Sequence, residues 1–256
     1  MDLRGKTAVV TGSATGVGQG IAVSLAGYGA NVVVTHNRAP ASRTMEMIAE
    51  VNGRAVDIPL NVTSSEAVDK LFASAAEHFG GVDILVNNAA VQYNKWLLEY
   101  TEEQYDTIMD VNLMGYFRCI RAAIPYLKKS AHGRVINVSS IHAKRPSGFD
   151  PVYSMTKSAI QMLTYEAAIE LAAYGITVNA LTLGAVRIES KSGAPVFKPG
   201  KREFRKREMP YGNFLSGRWG VPPDAGYITA FLASEESRYI TGSSIRSDGG
   251  IMLITV

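Results

Sequence analysis

Cysteine is all but missing from this chain: Cys119 stands alone among 256 residues, so no intrachain disulfide can form. Histidine is nearly as scarce, and the four present (His36, His78, His132, His142) show neither metal-ligand spacing nor cysteine company, which argues against a zinc site or any other metal. No run of about 18 uninterrupted apolar residues suggests a membrane span. The opening Met1-Asp2-Leu3-Arg4-Gly5-Lys6 lacks the apolar stretch of a secretory signal, so a soluble cytoplasmic protein with no membrane partner is the expectation. Charge of one sign is not in excess either: 26 Lys and Arg against 23 Asp and Glu leave +3. That balance is too mild to call for a nucleic-acid partner, though it suits an anionic cofactor. Repeats, low-complexity tracts and interdomain linkers are also absent.

What remains is a chain that is 46% hydrophobic and long enough to bury a sizeable core, read as one domain over residues 1–256. The apolar, β-branched run Lys6–Thr11 leads into a glycine-rich turn and then a helical pattern through Ile21, Ala22 and Leu25. The alternation recurs: strands at Asn31–Thr35, Arg54–Leu60, Val82–Val86, Arg134–Val138, Ile176–Leu181 and Ser244–Ser247, and helices near 40–51, after 66, at 101–128, 152–173 and 223–233. Thr63-Ser64-Ser65-Glu66 and Thr101-Glu102-Glu103-Gln104 fit capping boxes at helix starts, and Pro125 should lie near the end of the 101–128 helix. Strands alternating with helices imply parallel pairing through right-handed crossovers, hence an α/β, doubly wound (Rossmann) sandwich with a parallel sheet of about seven strands. The segment 189–217 departs in composition and is read as a substrate lid inserted within the domain.

Three groups of residues carry chemistry. Gly12-Ser13-Ala14-Thr15-Gly16-Val17-Gly18 lies between the first strand and first helix, where a pyrophosphate can meet free amides and the positive end of a helix dipole. Glycine is needed there because a Cβ would hold the phosphate away. At the end of the second strand, where an acidic residue would favour NAD, the chain reads His36-Asn37-Arg38; a guanidinium there matches a 2′-phosphate, so NADP is preferred over NAD. Tyr153 and Lys157 are four apart, on one helix face, and a lysine charge there stabilises a phenolate and lowers the phenol's pKa toward useful acid/base range. Ser139 and Ser140 end a buried-looking strand at the carboxyl edge of the sheet, the edge at which such sheets bind ligands.

Taken in order, Thr11-Gly12-x-x-x-Gly16-x-Gly18, Asn87-Asn88-Ala89, Asp110-Val111-Asn112, Ser140, Tyr153-x-x-x-Lys157 and Asp248-Gly249-Gly250 make the chain resemble a short-chain dehydrogenase/reductase of the single-domain kind over nearly its whole length. The resemblance implies hydride transfer between NAD(P) and a carbonyl or alcohol carbon. It implies that Tyr153 is the general acid/base, Lys157 tunes it and holds the nicotinamide ribose, Ser140 polarises the substrate oxygen, and Asn112 positions a water behind Lys157. Cofactor contacts are expected at Gly12, Thr15, Gly16, Val17, Gly18, His36, Asn37, Arg38, Asn61, Val62, Asn88, Ala89, Tyr153, Lys157, Gly184 and Val186. Ser140, His142, Gln92 and Tyr153 are expected to bind substrate, with Asn94 and Asp150 as further candidates for its hydroxyls. Four positions depart from the family pattern: Ala90, Asn61, Leu183 before Gly184, and Ile188.

A polar small molecule such as a sugar, polyol or keto acid is the expected substrate, and a homotetramer through the helices at 101–128 and 152–173 is implied by the resemblance. From Lys191 to Glu208 seven lysines and arginines face two glutamates, which fits either a solvated face or a lid for an anionic substrate. The competing readings are a non-catalytic cofactor-sensing or scaffold protein of the same fold, and RNA binding through that basic run, which no aromatic-rich recognition motif accompanies.

Overall fold

A computed structural model describes residues 1–38, 40–188 and 214–253. The lid expected at 189–217 and the basic run 191–208 therefore lie, apart from 214–217, outside the described residues. Strands form where small and β-branched side chains run together without alternation, as expected for strands buried on both faces. They are β1 (Thr7–Val10), β2 (Asn31–His36), β3 (Arg54–Pro59), β4 (Ile84–Asn87), β5 (Arg134–Ser140), β6 (Thr177–Leu183) and β7 (Ser244–Ser247). Their order in the sheet is β3-β2-β1-β4-β5-β6-β7, and every neighbouring pair is parallel.

Successive residues of a strand point to opposite faces, so one sheet feeds two cores. Ala8 and Val10 of β1 join Val32, Val34, Ile84 and Val86 against α1 (Gly16–Gly27), α2 (Ser42–Glu50) and α7 (Pro222–Ala233). Val9, between them, joins Val33, Leu85 and Val178 against α3 (Ser65–Phe79), α5 (Gly115–Leu127) and α6 (Pro151–Leu171). The helices α1 and α7 approach unusually closely, because a Cβ on Gly20 would stand 2.4 Å from the Pro222 Cβ and one on Gly226 2.0 Å from the Ser24 hydroxyl.

Two local expectations change. The helix after residue 66 starts one residue later than the proposed box: Ser64, not Thr63, is its N-cap, accepting the Ala67 N–H, while Thr63 donates both its N–H and its hydroxyl to the Asn61 side chain. The box at Thr101 and Gln104 is present. The single helix expected at 101–128 is α4 (Glu102–Met109) and α5 joined by a widened i→i+5 turn over Asp110–Met114, with Pro125 in the last turn of α5. Such turns cluster at functional positions because they push one residue out of helical register, and here that turn contains Asn112.

Candidate active site

The chain reverses its winding between β1, β2 and β4, so a crevice opens at the carboxyl ends of β1 and β4. The glycine turn fills its floor. Gly12 and Gly16 have φ of +62° and +63°, the left-handed region that disfavours side chains. A Cβ on Gly12 would stand 2.9 Å from Ala89 Cα, and one on Gly18 2.4 Å from the Gly12 carbonyl and 2.5 Å from the Asn88 amide nitrogen. Asn88 in turn donates to the carbonyls of Thr11 and Gly12 at 3.0 and 2.9 Å. From behind, Thr44 of α2 donates to the carbonyls of Ser13 and Ala14, and Gly12 donates to the Thr35 hydroxyl. Thr15 caps α1 without using its side chain on the first-turn amides, which leaves those amides for an anion. This cradle fits the pyrophosphate of a dinucleotide.

At the adenosine end of the crevice, Asn37 and Arg38 are exposed, whereas His36 is not free. Its Nδ1 lies 2.7 Å from Asp57 Oδ1, and Asp57 Oδ2 accepts the Ala41 N–H at 3.1 Å. The stretch after β2 lacks an acid, but β3 supplies one beside it: Asp57 pairs with Val34 in the parallel register and reaches the end of β2. Asn61 is spent on its local turn with Thr63, and Val62 is buried beside Gly115.

Tyr153, Lys157, Ser140, Asn88, His142, Gln92, Gly184 and Val186 line one cavity of about 690 Å³, a volume in the range of small-molecule sites. Ser140 ends β5 within the strand itself and accepts the His142 N–H at 3.2 Å; it is also hydrogen-bonded to Tyr153. Lys157 is buried, and its Nζ donates to the Val138 carbonyl at 2.9 Å and to the Tyr116 hydroxyl at 3.4 Å. Tyr116 is itself fully enclosed, its hydroxyl donating to the same Val138 carbonyl at 3.1 Å. Asn112 is turned to the loop after β4, accepting the Val91 N–H and donating to the Val91 carbonyl. That exchange ties the widened turn to the cavity rim.

The electrostatics differ from the simple picture of a lysine depressing a phenol. Burial raises the Tyr153 phenol above its usual 10.0, the Ser140 hydrogen bond pulls it back, and the Asp150 charge raises it further. Burial likewise lowers the Lys157 ammonium from 10.5 to about 7. The ammonium sits 5.5 Å from the Tyr153 ring centre and spends two N–H groups on Val138 and Tyr116, so desolvation outweighs its attraction for the phenol.

On the substrate side, Gln92 donates to Asn94 at 2.6 Å, and the His142 ring meets Phe149 edge-on. Asp150 does not offer itself to substrate hydroxyls. It is fully buried and saturated, with Oδ1 accepting the Tyr153 N–H and the Tyr100 hydroxyl, and Oδ2 the N–H groups of Tyr93 and Asn94.

Comparison with known proteins bears on the family and the fold. A family model described as enoyl-(acyl carrier protein) reductase matches residues 12–252. Glucose 1-dehydrogenase 2 of Bacillus subtilis is 35% identical, with 98% of this chain and 96% of that protein covered. The 3-oxoacyl-[acyl-carrier-protein] reductase of Vibrio cholerae is 33% identical, covering 99% of this chain and 100% of that protein. A solved structure from Agrobacterium tumefaciens, provisionally described as a 2-deoxy-D-gluconate 3-dehydrogenase and holding NADP, superposes with a TM-score of 0.84 at 31% identity, covering 99% of this chain and 98% of that one. The chain belongs to the short-chain dehydrogenase/reductase family.

Among the four departures, Ile188 and Leu183 line the cavity wall. Ile188 covers the glycine turn, its Cδ1 3.1 Å from where a Gly16 Cβ would be, and lines the cavity beside Val186. Gly184 lies with its backbone against Asp248, 2.7 Å from a hypothetical Cβ, which accounts for the glycine; nothing in the structure explains Leu183 before it. Residues that sequence reasoning passed over as site residues are Tyr116, Thr44, Asp57 and, as a buried anchor, Asp150. Tyr116 sits four residues after Asn112, which was the available signal; Asp57 gave none, since its role depends on which strand lies beside β2. No helix of the described residues is long and apolar enough to cross a membrane, and no cluster of metal-ligating side chains occurs among them.

Proposed function

We propose that this family member is an NADP-preferring enzyme that interconverts a carbonyl and an alcohol on a polar small molecule such as a sugar, polyol or keto acid. The observation that carries the reading is the convergence of a phenol, a hydroxyl and a buried amine, Tyr153, Ser140 and Lys157, in one cavity beside the glycine cradle. A bound nicotinamide supplies or takes up the hydride. The chain's residues manage position and protons. Gly12 to Gly18, Asn88, Ala89, Gly184 and Val186 border the bed for the dinucleotide, and exposed Arg38 with Asn37 is offered to the 2′-phosphate while His36 is held by Asp57; the NADP held by the Agrobacterium relative favours the same preference. Ser140 donates to the substrate oxygen. Tyr153, held protonated at neutral pH by burial, gives its proton to that oxygen as charge develops, and Lys157 holds its place through Val138 and Tyr116.

A cytoplasmic homotetramer belongs to the same reading. Met155, Met162 and Ile169 on α6 and Met114 and Phe117 at the start of α5 are exposed large apolar side chains, a pattern that marks helix faces buried on assembly. The deciding experiment is NADPH and NADH oxidation by purified protein across a carbonyl panel, with Tyr153→Phe as the control. Turnover lost in the variant, with an unchanged melting temperature, supports the mechanism; full turnover in the variant, or silence of the wild type with both cofactors, ends it.

A further inference from the structure

Arg145 lines the same cavity as Tyr153 and Ser140, half-buried, and no described residue pairs with its side chain. Its position is set by the turn that leaves β5: its N–H donates to the Ile141 carbonyl at 2.9 Å, and its own carbonyl faces His142 Nδ1 at 3.1 Å. That contact to a carbonyl makes His142 Nδ1 a donor. Among the described residues, the cavity lining contains no aspartate or glutamate. The buried carboxylate of Asp150, five residues on, is saturated by four donors, and the ammonium of Lys157 is already engaged with Val138 and Tyr116. A half-buried guanidinium with no partner among the described residues therefore borders a cavity whose described lining holds no carboxylate, and it is available to an anionic ligand.

We propose that Arg145 binds a carboxylate of the substrate, which makes the substrate an oxo acid or its hydroxy acid in preference to a neutral sugar. The proposal rests on the carbonyl–alcohol reading above and narrows it. The guanidinium fork suits either anion, and the smaller carboxylate is favoured over a phosphate ester because the cavity of about 690 Å³ must also admit a nicotinamide. In reduction, the substrate's carbonyl carbon gains a hydride from NADPH and its oxygen gains the Tyr153 proton. The carboxylate is left unchanged, as the group that sets the distance between Arg145 and the reacting carbon.

The test compares kcat/KM for NADPH-dependent reduction of a series of oxo acids with that for their methyl esters and for phosphorylated ketones of similar length. Wild type should prefer acid over ester by roughly 10- to 100-fold, the usual worth of a charge-assisted hydrogen bond. Arg145→Gln should collapse that ratio toward one, and Arg145→Lys should keep part of it; melting temperatures verify that both variants fold. An ester reduced as well as its acid, a stronger preference for phosphorylated ketones, or an unchanged ratio in Arg145→Gln would overturn the assignment. If Tyr153→Phe still abolishes turnover in those cases, the carbonyl–alcohol reading survives the loss. Silence of the wild type on every compound would sink both.

Discussion

Asp150 accepts the backbone N–H of Tyr153 at 3.1 Å while gripping the loop after β4 through Tyr93 and Asn94. One buried carboxylate thus caps the helix that carries the candidate proton donor and fixes the loop that borders the substrate. It also places a negative charge near the phenol, and that charge raises the phenol's pKa.

Replacing Asp150 with Asn should therefore act in two ways. The amide has one acceptor oxygen where the carboxylate used two, so either the loop loses the acceptor of both Tyr93 and Asn94 or the helix loses its cap at Tyr153, and stability should fall by about 1–3 kcal/mol. Removal of the charge should also lower the Tyr153 pKa, moving the pH–rate limb of alcohol oxidation toward lower pH. A lower melting temperature with no movement of that limb would leave Asp150 a structural cap alone.

Tyr116→Phe removes one acceptor of the Lys157 ammonium and keeps the ring. Loss of a single hydrogen bond to a charged group predicts a kcat/KM lower by roughly 10-fold or more, with the fold intact. Steady-state kinetics and NADPH binding, measured side by side, test this. Activity equal to wild type would show that Val138 alone positions the lysine.

The buried Lys157 makes stability depend on pH in a direction opposite to the usual fall in alkali. In the unfolded chain it holds its proton up to about 10.5, whereas in the fold it begins to release it near 7. Between those values the unfolded state binds more protons, so stability contributed by this residue rises with pH. Cys119, raised by burial from 9.0 to about 12, works in the other direction only above pH 9. Melting temperatures of the cofactor-free protein between pH 7 and 9 should rise more in wild type than in Lys157→Met. Equal slopes would mean that the lysine stays charged in the fold.

Gly20→Ala tests the contact between α1 and α7. The added Cβ would meet Pro222 at 2.4 Å, with backbone atoms of the same residue at 2.5 and 2.7 Å, so the helices must separate. The expected cost is about 1–3 kcal/mol or more, despite alanine's better helix propensity. Thermal unfolding reads it directly; a variant as stable as wild type would show that α7 can shift without penalty.

The glycine turn, Tyr153, Lys157 and Ser140 were legible because each is a local pattern attached to a strand end or a helix face. The capping box at Thr101 and the succession of strands and helices along the chain were legible for the same reason. Thr63 was misplaced as a cap because several hydroxyls in succession offer alternative caps, and only the direction in which the chain enters α3 chooses among them. The break at Asp110–Met114 was invisible, since widening a helical turn leaves the spacing of apolar residues on either side nearly unchanged.

The order of residues along the chain by itself determined the alternating elements, the double-faced burial of the strands and the identity of the phenol, amine and hydroxyl, since period, turn chemistry and helix spacing are properties of neighbours. Tertiary structure alone decided that Asp57 stands beside His36, that Tyr116 meets Lys157, that Asp150 is buried and that Arg145 borders the cavity with no counter-charge among the described residues. Those relationships join residues from different strands, helices and loops. Burial and charge act through space, and no local pattern records which distant side chain will fill it.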